Sequence, residues 1–87
     1  MVSKKVTVCN PSGIHARPAG VLVKTTGKCN SDVFIVVGDK KIVAKSILNI
    51  MAAAIKCGTE IEIQCEGKTE VEDLEAVVAV IEGGLGE

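Results

Sequence analysis

The segment Gly13-Ile14-His15-Ala16-Arg17-Pro18-Ala19 holds the residues best suited to chemistry, including the only histidine of the chain. Histidine is the one side chain that ordinarily changes charge near neutral pH, and its neutral ring is a nucleophile. Turn residues at 10–13 precede the histidine and a helical pattern follows it. We therefore expect a loop that delivers the imidazole to the start of a helix.

A helix start suits a phosphate, because it offers unpaired backbone N–H groups and the positive end of the helix dipole. Arg17 adds a fixed positive fork that matches phosphate oxygens. The pattern therefore brings together a candidate nucleophile, His15, a cradle for an anion at Ala16, Arg17 and Pro18, and the positive charge of Arg17.

Hydrophobic spacing predicts seven elements that position this segment, in the order β-α-β-β-α-β-α. Gly38 and Asp39 fit a two-residue hairpin turn, and Thr69-Glu70-Val71-Glu72 fits a capping box at the last helix. Ser46 opens the second helix, and its hydroxyl can cap the backbone there. The predicted elements are strand 2–8, a helix from Ala16 to a stop at Gly27, strands 33–37 and 40–44, a helix from Ser46 to a stop at Gly58, strand 60–66, and a helix from Thr69 to a stop at Gly83.

This order predicts an α+β fold in one domain, residues 1–87. Residues 60–66 alternate apolar and polar side chains without interruption, which is typical of an antiparallel sheet with one face open to solvent. A four-stranded antiparallel sheet with its three helices on one face satisfies the order. The core must be aliphatic, because the chain has one Phe and neither Trp nor Tyr.

Composition excludes several classes of function. The formal net charge is −1, so no overall field attracts DNA or an anionic membrane. The near absence of aromatic residues argues against stacking on single-stranded nucleic acid. No apolar run is long enough to insert into a membrane, and no signal-peptide pattern precedes the first strand. We expect a cytoplasmic monomer that binds no nucleic acid directly.

The four cysteines, Cys9, Cys29, Cys57 and Cys65, form no C-x-x-C pair. One histidine cannot complete a usual zinc set at finger spacing, so we expect neither a metal nor a cofactor. We interpret the cysteines as buried or half-buried free thiols in a reducing compartment. A site built from all four thiolates and an unexpected disulfide remain open as alternatives.

Two motifs carry a resemblance to a known family: the Gly13–Ala19 segment and Lys45-Ser46-Ile47-Leu48-Asn49-Ile50-Met51. With the length and the element order, they make the whole chain resemble the histidine-containing phosphocarrier (HPr) family of the bacterial phosphoenolpyruvate:sugar phosphotransferase system. The fold that the resemblance implies is an open-faced β-sandwich, in agreement with the element order.

The resemblance also implies a function. Enzyme I passes a phosphoryl group to Nδ1 of His15, the acceptor, and His15 passes it to enzyme II A components for sugar uptake, while Arg17 stabilises the phosphoryl group. The chain is then a carrier on which enzymes act and not itself an enzyme. The residues that the resemblance assigns to partner docking are Ala16, Gly20, Lys24, Ile47, Leu48 and Met51.

Ser46 aligns with a serine that an ATP-dependent kinase modifies in many Gram-positive relatives. In that family a kinase/phosphorylase controls the serine, and the modified protein is a corepressor for a catabolite-control transcription factor. A phosphoserine ester is more stable than a phosphohistidine bond, so it suits a signal rather than a relay. The plainer interpretation is that Ser46 only caps its helix.

Three other functions remain open. The chain could be a regulatory binding module that acts through phosphorylated Ser46, although relatives of that kind lack the histidine that this chain keeps. It could belong to the nitrogen-related phosphocarrier branch, which shares the histidine chemistry. It could be a small-ligand or metal-binding domain that uses its cysteines. Ile47, Leu48 and Met51 could equally be core residues, and Lys24 a solvated charge.

Overall fold

The computed structural model describes residues 1–87. Its elements are β1 (Val2–Thr7), α1 (Ala16–Thr26), β2 (Asp32–Val37), β3 (Lys40–Val43), α2 (Ile47–Ala52), β4 (Glu60–Glu66) and α3 (Glu70–Glu82). The predicted order is therefore confirmed, and the strand bounds differ from the prediction by a single residue at an end. No helix combines the length and the apolar character needed to cross a membrane.

The four strands form one antiparallel sheet in the order β1-β4-β2-β3. In β4 the side chains of Ile61, Ile63 and Cys65 are buried, the two residues between them are half-buried, and the two residues at the strand ends are exposed. Because successive side chains of a strand point to opposite faces, one face of the sheet is dry and the other is wet. The helices cover the dry face, with α3 against β1 and β4 and with α1 against α3 and α2. This confirms the open-faced β-sandwich.

The core lies between the sheet and the helices and is aliphatic, as the composition predicted. Burial of these side chains supplies most of the driving force for folding. The largest apolar side chains that are fully buried are Ile14, Leu22, Ile35, Ile50, Ile61, Ile63, Ile81, Leu85, Val8, Val33 and Val77.

The second helix is shorter than the prediction, because α2 ends at Ala52 instead of continuing to Gly58. Ala54 has a positive φ of 51°, which no α-helix residue adopts, and the chain turns there. The turn brings Ile55 into the core and lets its carbonyl oxygen accept a hydrogen bond from the N–H of Ile14 at 2.9 Å. Tertiary packing thus overrides the helix propensity of the alanine run.

The predicted capping box at α3 is also wrong. The Thr69 hydroxyl donates to the Asp73 carboxylate at 2.7 Å instead of accepting from a backbone N–H. Asp73 also accepts from the N–H of Ser31 at 2.9 Å, so the start of α3 is fixed to the beginning of β2. Glu70 accepts from the N–H of Gly67 at 3.1 Å. Three acidic residues in the first turn complement the helix dipole without a box.

Candidate functional site

His15 is exposed at the start of α1, as the sequence predicted. It is the N-cap residue, with an extended backbone (φ −139°, ψ 158°), and its side chain makes no capping hydrogen bond. The residue before it, Ile14, is fully buried, and its N–H donates a hydrogen bond to the carbonyl oxygen of Ile55. A fixed, buried residue therefore leads directly to a free and solvent-facing imidazole.

Gly13 is required where the loop passes the 55–57 segment. Its φ is +70°, a conformation that glycine adopts without steric cost. A Cβ atom there would lie 2.5 Å from the carbonyl oxygen of Ile55 and 3.1 Å from the N of Cys57. The close approach permits the hydrogen bond between Ile14 and Ile55, so it helps to fix the position of the His15 backbone.

Ala16 carries backbone strain immediately after the histidine. Its φ is +37°, on the left-handed side that residues with a Cβ rarely adopt. Such a conformation costs about 1–3 kcal/mol and persists only where the surrounding structure enforces it. Here the anchored Ile14 on one side and the buried Pro18 and Ala19 on the other enforce it.

The predicted cradle residues do not play equal parts. Ala16 and Arg17 are exposed, and their N–H groups belong to the first turn of α1, where N–H groups have no partner within the helix. Pro18 is buried and has no N–H, so it cannot donate to a phosphate. Its fixed φ instead suits the first turn of the helix. The donors available to an anion beside His15 are thus the N–H groups of Ala16 and Arg17 and the guanidinium of Arg17.

Ser46 is the N-cap residue of α2, as predicted. Its backbone is extended (φ −105°, ψ 111°), and its hydroxyl oxygen accepts a hydrogen bond from the N–H of Asn49 at 3.3 Å. The side chain is half-buried. The two predicted modification sites therefore both start helices, but only Ser46 has its side chain engaged in the cap.

The residues assigned to docking lie on α1 and α2, two helices that pack against each other. Leu48 is 78% exposed, more than any other large apolar side chain, and Ile47 is 41% exposed. Met51 and Gly20 are half-buried. Ala16, Gly20 and Lys24 follow one another at intervals of four residues, so they share one face of α1. We name these six residues, Ala16, Gly20, Lys24, Ile47, Leu48 and Met51, the docking surface.

The cysteines are all free, and they divide into two kinds. Cys29 and Cys65 are buried, and burial raises the pKa of the Cys29 thiol and raises that of Cys65 to about 11. Cys9 and Cys57 are exposed, contrary to the expectation that all four are at least half-buried. No three metal-ligating side chains lie together.

Sequence reasoning missed three residues near the histidine loop. The Glu87 carboxylate accepts hydrogen bonds from the side chain of Asn10 and from both the N–H and the hydroxyl of Ser12. Asn10 is buried although it is polar. The partners are 75 and 77 residues apart in the chain, and no local pattern in the sequence signals such a contact.

The comparisons with known proteins agree with this geometry. A family model described as "PTS HPr component phosphorylation site" matches residues 2–83. The chain is 42% identical over 77 residues to the phosphocarrier protein HPr of Treponema pallidum, with 88% of each chain covered. It is 39% identical to the HPr-like protein Crh of Bacillus subtilis, covering 94% of this chain and 96% of Crh.

A solved structure of HPr from Thermoanaerobacter tengcongensis superposes with a TM-score of 0.96 at 36% identity, covering 100% of this chain and 98% of the other. A histidine-containing phosphocarrier protein from Mycoplasma superposes with a TM-score of 0.88 at 38% identity and covers 97% of each chain. Sequence motifs, sheet topology and these likenesses agree with one another, and the chain belongs to the HPr phosphocarrier family of the phosphotransferase system.

Proposed function

We propose that this protein accepts a phosphoryl group from phosphorylated enzyme I on His15 and passes it to an enzyme II A component. The observation that carries the proposal is the exposed imidazole of His15, which makes no side-chain hydrogen bond and lies at the start of a helix, two residues before Arg17. A carrier needs a nucleophile that its protein partners can reach, and it needs no cofactor for the transfer.

The transfer moves one phosphoryl group. The lone pair of Nδ1 of His15 attacks phosphorus, an N–P bond forms, and the bond between phosphorus and the donor breaks with its electron pair returning to the donor. The three oxygens of the phosphoryl group, which share two negative charges, then lie beside the N–H groups of Ala16 and Arg17 and the guanidinium of Arg17. Positioning and charge stabilisation of this kind account for most of phosphoryl-transfer catalysis.

The docking surface complements this chemistry. Protein partners bury exposed apolar side chains at the centre of an interface, and Leu48 with Ile47 is such a group on α2. Lys24 on the same face as Ala16 supplies a charge that attracts acidic partners. We propose that enzyme I and the enzyme II A component bind in turn to these same six residues.

Incubation with enzyme I and phosphoenolpyruvate tests the proposal. The expected result is an acid-labile label that maps to His15 and is lost in His15→Ala. Ser46→Ala is the matched control, because it removes the other candidate acceptor and should leave that label intact. A label retained in His15→Ala would refute the site.

A second function is favoured by a specific likeness. One relative at 39% identity is the HPr-like protein Crh, and a solved structure at 39% identity is that of Crh, the catabolite repression HPr of Bacillus subtilis. We propose that a kinase/phosphorylase modifies Ser46 and that the modified protein binds a catabolite-control transcription factor as corepressor. The phosphate adds about two negative charges at the start of α2.

The modified Ser46 would lie next to Ile47 and Leu48, so it would repel the acidic surface of a phosphorylated donor while α2 stays folded. Incubation with the kinase and ATP should give an acid-stable label at Ser46 that Ser46→Ala abolishes. The labelled protein should then accept phosphate at His15 more slowly. An equal rate would mean that Ser46 only caps its helix.

We also propose that the protein acts as a cytoplasmic monomer with a single domain. In support, β1 pairs with β4 of its own chain over six residue pairs, which leaves no strand without a partner. Relatives do include dimers, since an HPr dimer from Thermoanaerobacter tengcongensis and a domain-swapped Crh dimer have been solved. Sedimentation equilibrium at micromolar concentration decides between a 9.0 kDa species and one of twice that mass.

A further inference from the structure

Glu87 holds the loop that leads to His15 by three hydrogen bonds. Its Oε1 accepts from Asn10 Nδ2 at 3.0 Å and from the N–H of Ser12 at 3.2 Å, and its Oε2 accepts from the Ser12 hydroxyl at 2.6 Å. Hydrogen bonds to an ionised carboxylate are stronger than neutral ones. We name Asn10, Ser12 and Glu87 the Glu87 clasp.

The chain reaches this position by an unusual route. Gly84, Leu85 and Gly86 have φ values of +89°, +52° and +84°, so three successive residues are left-handed. Leucine adopts such a conformation only at a cost in free energy. Leu85 is fully buried and its N–H donates to the carbonyl of Val80 at 3.0 Å, which holds the strained residue in place. The strain serves to turn residue 87 back onto the loop.

The Glu87 clasp holds the 10–13 loop, which precedes His15 and determines where its backbone lies. Asn10 Nδ2 also donates to the carbonyl of Gly13 at 2.6 Å, and the N–H of Gly13 donates to the carbonyl of Asn10 at 3.1 Å. The loop is thus closed on itself by Asn10, and Glu87 fixes both Asn10 and Ser12 from outside. Without Glu87, the N–H and the hydroxyl of Ser12 have no protein acceptor and one hydrogen-bonding partner of Asn10 is lost.

We propose that Glu87 is a positioning residue for phosphoryl transfer, whose carboxylate holds the 10–13 loop in the conformation from which His15 meets its donor. This inference rests on the proposed function and extends it to a residue outside both sequence motifs. Small misplacements of a reacting group lower the rate of transfer strongly, so a loop held at three points favours it.

Electrostatics support the same arrangement. The hydrogen bonds from Ser12 and Asn10, with the charge of Arg17 as a smaller contribution, hold the pKa of the Glu87 carboxyl below its usual range. Glu87 is therefore ionised at neutral pH, when the transfer takes place. The charge of Arg17, the residue that also stabilises the phosphoryl group in the proposed mechanism, contributes to this lowering of the Glu87 pKa.

The test compares Glu87→Ala and Glu87→Gln as acceptors in the enzyme I reaction. In Glu87→Ala we expect kcat to fall about tenfold with KM within about twofold of wild type, because docking is intact and the histidine is misplaced. Glutamine keeps an acceptor oxygen for Asn10 and Ser12 and offers an N–H to the Ser12 hydroxyl. Glu87→Gln should therefore recover kcat to within about threefold of wild type.

Two controls separate positioning from other effects. Glu75→Ala removes the same charge from an exposed site on α3 and should leave both constants unchanged. Ser12→Ala combined with Glu87→Ala should be no slower than the slower single variant, because both remove the same hydrogen bond. A wild-type kcat in Glu87→Ala, a loss confined to KM, or no recovery in Glu87→Gln would each overturn the inference. Absence of any label on His15 in the wild-type protein would instead refute the proposed function.

Discussion

Alanine substitutions at two residues of α2, Leu48 and Ile50, separate an effect on partner binding from an effect on the stability of the fold. Leu48 is 78% exposed, whereas Ile50 is fully buried. Complete burial of a leucine side chain contributes about 1.5–3 kcal/mol, and only about a fifth of Leu48 is covered, so Leu48→Ala should lower the free energy of unfolding by about 0.5 kcal/mol. Ile50→Ala leaves a cavity in the core and should lower it by about 2–5 kcal/mol.

In the reaction with enzyme I, Leu48→Ala should have the larger effect and Ile50→Ala the smaller one. If Leu48 anchors the interface, its truncation removes about 1–2 kcal/mol of binding free energy. The KM of enzyme I for this carrier should then rise about tenfold. Ile50→Ala should leave KM near the wild-type value at a temperature where the variant is still folded. Urea unfolding followed by circular dichroism gives the stabilities, and initial rates at varied carrier concentration give KM.

Val71→Ala is the matched control, since Val71 is an apolar residue of α3 that is also more than half exposed and lies outside the docking surface. It should leave KM unchanged and should lower the free energy of unfolding by about 0.5–1 kcal/mol, because about half of the valine side chain is covered. A KM within twofold of wild type in Leu48→Ala would refute the assignment of Leu48 to docking. A large loss of stability in Leu48→Ala would contradict the high exposure of Leu48, from which the expected loss of about 0.5 kcal/mol follows.

Three further changes test the loop, the cap and the start of α3. Gly13→Ala should lower the free energy of unfolding by about 2 kcal/mol or more in urea, because its Cβ would meet the Ile55 carbonyl oxygen at 2.5 Å and its φ is +70°; a neutral result would contradict the close approach. Ser46→Ala should cost about 1 kcal/mol by the same measurement, from loss of the cap to Asn49, whereas Ser46→Asn should cost less. Hydrogen bonds at Ser31 and from the Thr69 hydroxyl hold the pKa of the Asp73 carboxyl below its usual range. The stabilisation from Asp73 is therefore present above the ordinary pKa of an aspartate and is lost as the pH falls through the lower pKa of the folded state. The midpoint of thermal unfolding should therefore fall less steeply with acid in Asp73→Asn than in the wild type, and equal slopes would contradict the sign.

Local patterns were enough to predict the order of elements and several of their ends. The uninterrupted alternation of β4 and the Gly38-Asp39 hairpin depend on interactions within a few residues, and both are present in the structure. Ser46 was expected to open a helix because a hydroxyl at that position can accept a backbone N–H, and it accepts from Asn49. In each case the residues that decide the local structure lie within a few positions of one another in the sequence.

The features that sequence reasoning missed depend on contacts between distant residues. The run Ala52-Ala53-Ala54 has the highest helix propensity in the chain's second half, yet the helix ends within it because Ile55 is needed in the core and at the N–H of Ile14. Nothing in the local sequence indicates that Ala16 has a positive φ, since alanine ordinarily avoids it. The hydrogen bonds of Glu87 join residues 75 and 77 positions apart, so they too required the folded structure.

The two candidate modification sites differ in a way that fits a relay and a signal. Both residues are N-caps with extended backbones, but the His15 side chain makes no capping bond and the Ser46 hydroxyl accepts from Asn49. A relay group must be available at every encounter, so a capping bond at His15 would have to break each time. A signalling group is modified rarely, and breaking one capping bond of about 1 kcal/mol is a small barrier to a kinase. The phosphate oxygens can then accept the same N–H of Asn49, so modification changes the charge beside Leu48 while α2 keeps its cap.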